Sequence, residues 1–229
     1  METRVSEVIN DDNMVGMARF PDKFFDLAVV DPPYFSGPER RIFYGQRVSS
    51  IGVNRYYKKS AQWTIPNEEY FNELIRVSNK YIIWGCNYFN YPFHSGRIVW
   101  DKVNDSSHYS DCELAATNIF DHCRVFRYMW NGMMQGKSMS QGTIMQGNKK
   151  LNEKRIHPTQ KPVILYDWIF KNYLPDGGNV IDTHLGSGSS RIAADKAGNI
   201  DFYGWEVDPV HYGSQELRYK DFKSQTRLI

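Results

Sequence analysis

Residues 180 to 190 read Val-Ile-Asp-Thr-His-Leu-Gly-Ser-Gly-Ser-Ser and join a short apolar run to a helical pattern through a glycine-rich turn. A strand that ends in an acid and turns through Gly186 and Gly188 lets the backbone approach a nucleotide-like ligand closely. Glu206 ends the next apolar run, 20 positions after Gly186, where an acid can accept hydrogen bonds from ribose hydroxyls. Small-residue turns into helices are frequent, so this segment gains its meaning from the rest of the chain.

Short apolar runs alternate with helical patterns elsewhere, which predicts a mainly parallel α/β sheet. Residues 113–128 are predicted to form an antiparallel hairpin that turns near Asp121. Strands are predicted at Phe25–Val30, Tyr81–Trp84, Ile98–Trp100, Asn179–Ile181 and Phe202–Trp205, with a weaker pattern at Val5–Ile9. Helices are predicted from Glu68 to Val77 behind the N-cap Asn67, from Pro162 to the turn at Pro175, and from Gly188 to Gly198.

The composition is that of a globular protein, with 229 residues of which 41% are hydrophobic and 24% charged. Neither an internal repeat nor a linker divides the chain, so we expect residues 1–229 to form a single domain. No apolar run approaches membrane-spanning length, and the N-terminus lacks the regions of a signal peptide. The three cysteines, Cys86, Cys112 and Cys123, form no C-x-x-C pair. These features predict a cytoplasmic protein with no disulfide framework, no metal and no membrane contact.

Positive charge is concentrated in two segments, although the whole chain carries only +2. Residues 35–60 contain six basic residues against Glu39 alone, and residues 122–155 contain seven against Glu153 alone. Both are predicted to be loops that contact nucleic-acid phosphates, although solvated surface is the alternative for each. The candidate DNA-binding residues are Arg40, Arg41, Arg47, Arg55, Lys58, Lys59, Lys137, Lys149 and Lys150.

Asp31-Pro32-Pro33-Tyr34 directly follows the predicted strand Phe25–Val30. The motif therefore lies at the carboxyl end of a strand, where open α/β folds bind ligands. The double proline makes the turn stiff. The four residues suit one chemical problem, the poor nucleophilicity of an adenine amino nitrogen. The Asp31 carboxylate and the Pro32 carbonyl can accept its two N–H groups and stabilise the positive charge that develops during methyl transfer, while Tyr34 stacks on the base. The target base must first leave the duplex.

His157-Pro158-Thr159-Gln160-Lys161-Pro162 precedes the helix that leads into the glycine-rich strand. Lys161 is a charged donor that can hold a carboxylate such as that of methionine, but a polar loop before a helix-starting proline explains the segment equally well. The glycine-rich turn also fits a nicotinamide dinucleotide. Two details oppose that interpretation: Arg191 stands in place of a third glycine, and few residues follow the motif.

Together and in this order, Asp-Pro-Pro-Tyr, His-Pro-Thr-Gln-Lys-Pro and Asp-x-x-x-Gly-Ser-Gly resemble the circularly permuted amino-methyltransferases of bacteria and their phages. These form the beta group of DNA N6-adenine and N4-cytosine methyltransferases, and the chain resembles their small phage-type members. The resemblance runs from before Asp12 to Tyr212. The acid at position 31 resembles the adenine-directed enzymes, because the cytosine-N4 enzymes more often have Ser there.

The resemblance implies a Rossmann-like, circularly permuted fold that depends on S-adenosylmethionine, with seven strands of which one is antiparallel. It implies that the strands ending in Asp31 and Asp182 lie side by side, and that residues 122–155 overlap the target-recognition region. The catalytic residues would be Asp31, Pro32, Pro33 and Tyr34. The cofactor-binding residues would be Asp12, Thr159, Lys161, Asp182, His184, Gly186, Ser187, Gly188, Ser189 and Glu206.

Two positions depart from the family pattern: His184 stands where Phe is common, and Asn13 stands where Cys is familiar. The predicted activity is methylation of adenine N6 in double-stranded DNA, in the cytoplasm of a bacterium or a phage-infected host. The open alternatives are cytosine-N4 methylation and a catalytically silent nucleic-acid-binding relative. A homodimer and a cognate restriction enzyme are further candidate partners.

Overall fold

A computed structural model describes residues 4–35, 63–103, 110–131, 134–136, 149–157 and 159–226. Its centre is a sheet of eight strands among these residues. From one edge to the other they are β1 (Ser6–Ile9), β10 (Ile200–Trp205), β9 (Gly178–Asp182), β2 (Phe25–Val30), β3 (Ser78–Trp84), β5 (Cys112–Thr117), β4 (Gly96–Asp101) and β6 (Cys123–Arg127). A separate two-stranded ribbon pairs β7 (Trp130–Asn131) with β8 (Met134–Gln135).

The sheet is parallel except for β5, which runs antiparallel to both of its neighbours. The predicted mostly parallel α/β sheet is therefore confirmed, but with eight strands instead of seven. The last strand at one edge, β6, pairs with β4 in parallel and leaves most of its side chains exposed.

The predicted hairpin over 113–128 is wrong, because β5 and β6 do not pair with each other. Both pair with β4, which lies between them. Ala115 and Ala116 are fully buried on the inner strand β5, whereas β6 is exposed along the edge. Proximity in sequence favoured a direct turn, but the small, apolar side chains of β5 fit between β3 and β4 and leave β6 outside.

Five α-helices lie within the described residues: α1 (Asn13–Met17), α2 (Glu68–Val77), α3 (Val163–Tyr173), α4 (Ser189–Ala197) and α5 (Pro209–Thr226). Asn67 caps α2 by accepting the amide of Tyr70, as the sequence predicts. The predicted helix α4 is also confirmed, whereas Pro162 is the N-cap of α3 and not its first residue. Neither α1 nor α5 was predicted. The inner side of α5 includes the buried polar residues His211 and Gln215, so it lacks the usual apolar stripe.

Helices cover both faces of the sheet. Leu27 and Val29 of β2 belong to the core with α3 and α4, while Ala28 and Val30 belong to the core with α1 and α2. Burial on both faces explains why β2 is apolar at every position except Asp26. Because β2 and β9 are adjacent and parallel, the acids that end them reach the same edge of the sheet. No helix in the described part of the chain is long and apolar enough to cross a membrane.

Candidate active site

A cavity of about 520 Å³ opens where the carboxyl ends of β2 and β9 meet. The structure brings together around it all four residues predicted to be catalytic and half of those predicted to bind the cofactor. These lining residues are Asp31, Pro32, Pro33, Tyr34, Asp12, Thr159, His184, Gly186 and Glu206. Its walls also include residues that were not predicted to be catalytic or cofactor-binding, among them Asn13, Trp63, Tyr70, His157 and His211.

The other predicted cofactor residues, Lys161, Asp182, Ser187, Gly188 and Ser189, do not line the cavity. Ser187 and Ser189 are directed instead toward Arg218 of α5, which donates to the Ser187 carbonyl at 2.8 Å and to Ser189 Oγ at 3.0 Å. The sequence did not predict this helix. The contact of the Arg218 guanidinium with the glycine-rich turn was therefore not predicted.

Glu206 is fixed at the glycine-rich turn by the backbone. Its Oε2 accepts the Gly186 amide at 2.8 Å, and its Oε1 accepts the Asp208 amide at 3.0 Å. Gly186 has a φ of 54°, a left-handed conformation that glycine adopts without strain. Burial raises the pKa of Glu206 to about 7, against the two backbone bonds, which lower it. The carboxyl group thus stands at the cavity wall in a fixed orientation with lone pairs to spare.

Asp182 supports the same turn from behind. Its Oδ1 accepts the amide of His184 at 3.1 Å, and its Oδ2 accepts the hydroxyl of Ser190 at 2.5 Å. Burial raises the pKa of Asp182 to about 7. With both oxygens bonded and only 2% of the residue exposed, Asp182 ties strand β9 to the start of α4.

Asn13 and His184, the two departures from the family pattern, contact each other. The Asn13 amide nitrogen lies 3.2 Å from His184 Nε2, which therefore accepts, and Nδ1 carries the ring proton. Nδ1 lies 3.0 Å from Thr183 Oγ1, which lies 2.6 Å from the hydroxyl of Tyr70. Burial lowers the pKa of His184 to about 3. This wall of the cavity is a neutral hydrogen-bonded network.

The surroundings of Asp31 are charged, in contrast to this neutral network. Lys161 Nζ lies 2.5 Å from Asp31 Oδ2 and 2.8 Å from Glu113 Oε2, and Lys102 Nζ lies 2.5 Å from Glu113 Oε1. Lys161 is therefore placed behind Asp31, which differs from the expected contact with a methionine carboxylate. Its ammonium is 5.5 Å from the centre of the buried Trp84 ring. Burial raises the pKa of Asp31, and the adjacent Lys161 opposes this effect.

Tyr34 stacks on Tyr88, with the ring centroids 4.6 Å apart and the planes 9° from parallel. Tyr34 lines the cavity and Tyr88 does not. Gly85 makes room for the ring: a Cβ there would lie 2.4 Å from Tyr34 Cδ1, and its φ is 70°. One face of Tyr34 is thus supported by a second aromatic ring.

A histidine pair occupies another part of the wall. The His157 and His211 rings are 4.3 Å apart, and Trp63 stacks on His157. Thr159 Oγ1 lies 3.2 Å from His157 Nδ1. No periodicity or motif indicated His211, because it belongs to the unpredicted helix α5. Within the described ranges, no group of His, Cys, Asp and Glu side chains is arranged to hold a metal ion.

The structure describes two of the nine predicted DNA-binding residues. Arg40, Arg41, Arg47, Arg55, Lys58, Lys59 and Lys137 lie outside the described residues. Lys149 and Lys150 are in a short 3-10 turn, Lys149–Leu151, where Lys150 is exposed. The assignment of these residues to DNA remains a prediction.

Residues 97–213 match the family model described as DNA methylase, N6/N4 type. Type II methyltransferase M.HpaI of Haemophilus parainfluenzae is 26% identical over 190 residues, covering 72% of this chain and 58% of the relative. The chain thus spans less than two thirds of the length of that curated relative.

Solved structures share the fold at low sequence identity. The S-adenosyl-L-methionine complex of TTHA0409 from Thermus thermophilus, a putative DNA modification methylase, has a TM-score of 0.54 at 14% identity, covering 95% of this chain and 94% of that one. The cytosine-N4-specific PvuII DNA methyltransferase has a TM-score of 0.57 at 12% identity, covering 95% and 86%. The M1.HpyAVI–SAM complex has a TM-score of 0.53 at 15% identity, covering 93% and 98%.

Proposed function

The chain belongs to the N6/N4 DNA methylase family, and from that premise we propose that it transfers a methyl group from S-adenosylmethionine to the N6 amino group of an adenine in DNA. The observation that carries this proposal is the position of the Asp31-Pro32-Pro33-Tyr34 turn. It lines the same cavity as Gly186 and Glu206. An acceptor for the amino group and a candidate nucleotide site therefore face one space.

The cavity suits S-adenosylmethionine in size and in donor set. About 520 Å³ is within the usual range for small-molecule sites. Glu206 would accept the ribose hydroxyls, because its two backbone bonds leave lone pairs free. Asp12 would lie at the adenine end and Thr159 near the methionine part. When bound, the cofactor supplies an electrophilic methyl group on a sulfonium.

The reacting amino group would be held by Asp31 and the carbonyl of Pro32. Each accepts one N–H, which localises the nitrogen lone pair and stabilises the charge that develops as the nitrogen becomes tetrahedral. Asp31 is also the acceptor closest to the proton that this nitrogen must lose. Tyr34, supported by Tyr88, would stack on the base once it has left the duplex. The acid at position 31 is what favours adenine over cytosine.

The organisation of the chain is part of the proposal. The Asp31 turn precedes the glycine-rich turn in the sequence, which agrees with a circularly permuted methyltransferase. Residues 1–229 would form one domain, with DNA-contacting loops at about 35–60 and 122–155. Double-stranded DNA would be the substrate, and a homodimer and a cognate restriction enzyme are candidate partners.

The test is to incubate the purified chain with mixed-sequence double-stranded DNA and S-adenosylmethionine labelled in the methyl group, then to hydrolyse the DNA and identify the labelled nucleoside. Label in N6-methyladenine is the expected result. Label in N4-methylcytosine would replace the proposed specificity, and the absence of label would indicate a silent relative. The Asp31→Ala variant is the control for contaminating activity.

A further inference from the structure

Four charged side chains of alternating sign run from the cavity wall into the protein in the order Asp31, Lys161, Glu113 and Lys102. Consecutive members are 2.5, 2.8 and 2.5 Å apart. The Lys161 side chain is only 3% exposed and the others are 16 to 22% exposed. An ammonium so deeply buried requires anionic partners, because removing it from water costs more free energy than one imperfect contact returns.

The two oxygens of the Asp31 carboxylate have different surroundings. Oδ2 is held by Lys161, whereas Oδ1 is buried and accepts no hydrogen bond from the described residues. A buried, unsatisfied carboxylate oxygen is unusual in a folded protein and calls for a partner. Since Asp31 lines the cavity, the amino group of a bound base is a donor that could supply this bond.

We infer that Lys161 is a positioning residue that keeps Asp31 ionised and binds its Oδ2, so that Oδ1 is reserved for the amino group of the target base. This inference rests on the proposed function. Glu113 holds Lys161 in place from the other side, and Lys102 holds Glu113. The role goes beyond a structural ion pair, because it determines the charge of the reacting acid.

Lys161 and Glu113 have opposite effects on the pKa of Asp31. Burial raises the pKa of Asp31, Lys161 lowers it, and Glu113 raises it. Lys161 touches Asp31 directly, and Lys102 acts from a greater distance through Glu113. The titratable and charged groups that face Asp31 from the surrounding elements are Lys161, Glu113, Lys102, Tyr34, Tyr70, Tyr166 and Asp182.

The test compares the pH dependence of methyl transfer to saturating DNA in Lys161→Met and Glu113→Gln. A cation in contact lowers a carboxyl pKa by about 1 to 3. Lys161→Met should therefore move the acidic limb of the rate profile upward by about 1 to 3 pH units, with activity recovering at high pH. Glu113→Gln should move the limb in the opposite direction, because it removes a negative charge from near Asp31. Lys223→Met, which breaks the Lys223–Asp195 ion pair between α5 and α4, is the matched control and should leave the limb in place.

A second measurement does not depend on activity. The carboxyl carbon of Asp31 is titrated by NMR in protein labelled at aspartate, and its signal is identified by its loss in Asp31→Asn. A Lys161→Met protein that shows a raised Asp31 pKa supports the inference even if the wild type methylates no DNA, a result that would reject only the proposed function. Methylation by the wild type with rates reduced equally at every pH in Lys161→Met, or an unmoved NMR titration, would overturn it. If Lys161→Met does not fold, Glu113→Gln and the cation-preserving Lys161→Arg decide: a limb that fails to move downward in Glu113→Gln rejects the inference.

Discussion

Asp31 and Asp182 end two adjacent parallel strands at one edge of the sheet, yet they differ in every partner. Both oxygens of Asp182 are occupied by neutral donors, the His184 amide and the Ser190 hydroxyl. Asp31 has a single ammonium on one oxygen and nothing on the other among the described residues. The same residue type at equivalent positions thus serves as a structural tie in β9 and as a candidate reacting group after β2.

The comparison shows that position at the sheet edge does not by itself determine function. Neutral donors satisfy Asp182 and fix the turn that forms the cavity wall. A buried cation satisfies Asp31 only in part, and it opposes the effect of burial on the carboxyl pKa. The number of oxygens still free to accept a bond is what distinguishes the two residues.

Removing Asp31 should give the largest effect. Asp31→Ala eliminates one preorganised acceptor of the amino group, and such losses typically reduce the rate by about 10²–10³-fold. Cofactor affinity should stay near that of the wild type, since Glu206 and Gly186 are untouched. Single-turnover methylation and calorimetric titration of S-adenosylmethionine measure the two quantities. Equal losses of methylation rate and of cofactor affinity would show that Asp31 is a structural residue, as Asp182 is.

Glu206→Gln tests a third carboxyl group, which is fixed by backbone amides but faces the cavity. Replacement by the amide weakens charge-assisted hydrogen bonds, worth about 1.5–3 kcal/mol, and should therefore weaken cofactor binding by about 10- to 150-fold. The rate at saturating cofactor should change much less. Unchanged affinity would remove Glu206 from the proposed ribose site.

Asp182→Ala should act on stability more than on chemistry. It leaves the His184 amide and the Ser190 hydroxyl without their acceptor, which should lower the free energy of unfolding by about 1–3 kcal/mol. Urea denaturation measures this loss. A stable variant with a rate reduced as much as in Asp31→Ala would abolish the contrast between the two aspartates.

The smallest effect should come from the neutral network beside Asp182. His184 has its pKa lowered by burial to about 3, so its contribution to stability is present above about pH 6.5 and is lost as the pH falls toward 3. Urea unfolding of wild type and His184→Phe at about pH 7 and about pH 5.5 should show the wild type losing more, by at most about 1.4 kcal/mol per pH unit. Asp182 and Glu206 titrate in both proteins, so the difference isolates His184.

The control for this experiment is the same replacement at His122, whose side chain is 49% exposed. The change in pH dependence should be larger in His184→Phe than in His122→Phe, which makes the same change of ring at an exposed position. If His184→Phe behaves in the same way, the His184 ring is charged or solvated in the folded protein, and the neutral network is incorrect.

The parts of this structure that sequence could predict are those with local determinants. Strand Phe25–Val30 was predicted to the residue because both of its faces are buried, and α2 because its periodicity coincides with the cap at Asn67. The meeting of the Asp31 and Gly186 turns followed from a resemblance that spans most of the chain.

The partners of Asp31 could not be predicted because they come from distant segments without motifs. Glu113 follows Cys112 in a strand whose remaining residues are small or apolar, and a lone acid in such a strand is the signal that could have identified it. The mistaken hairpin hid this signal, because it paired β5 with β6 and did not place it between β3 and β4. Arg218 and His211 were missed together with α5, whose inner side is polar.

The contact between Asn13 and His184 has an evolutionary consequence. A ring nitrogen and an amide that satisfy each other make the two positions epistatic: a change at one alters which residues are tolerated at the other. Replacing His184 with an apolar ring deprives Asn13 of its acceptor, although the Thr183 carbonyl at 3.3 Å still provides one bond. An evolutionary path from the histidine–asparagine pair to an apolar pair would therefore most easily change His184 first. The intermediate, Asn13 beside an aromatic ring, keeps the Thr183 carbonyl as an acceptor.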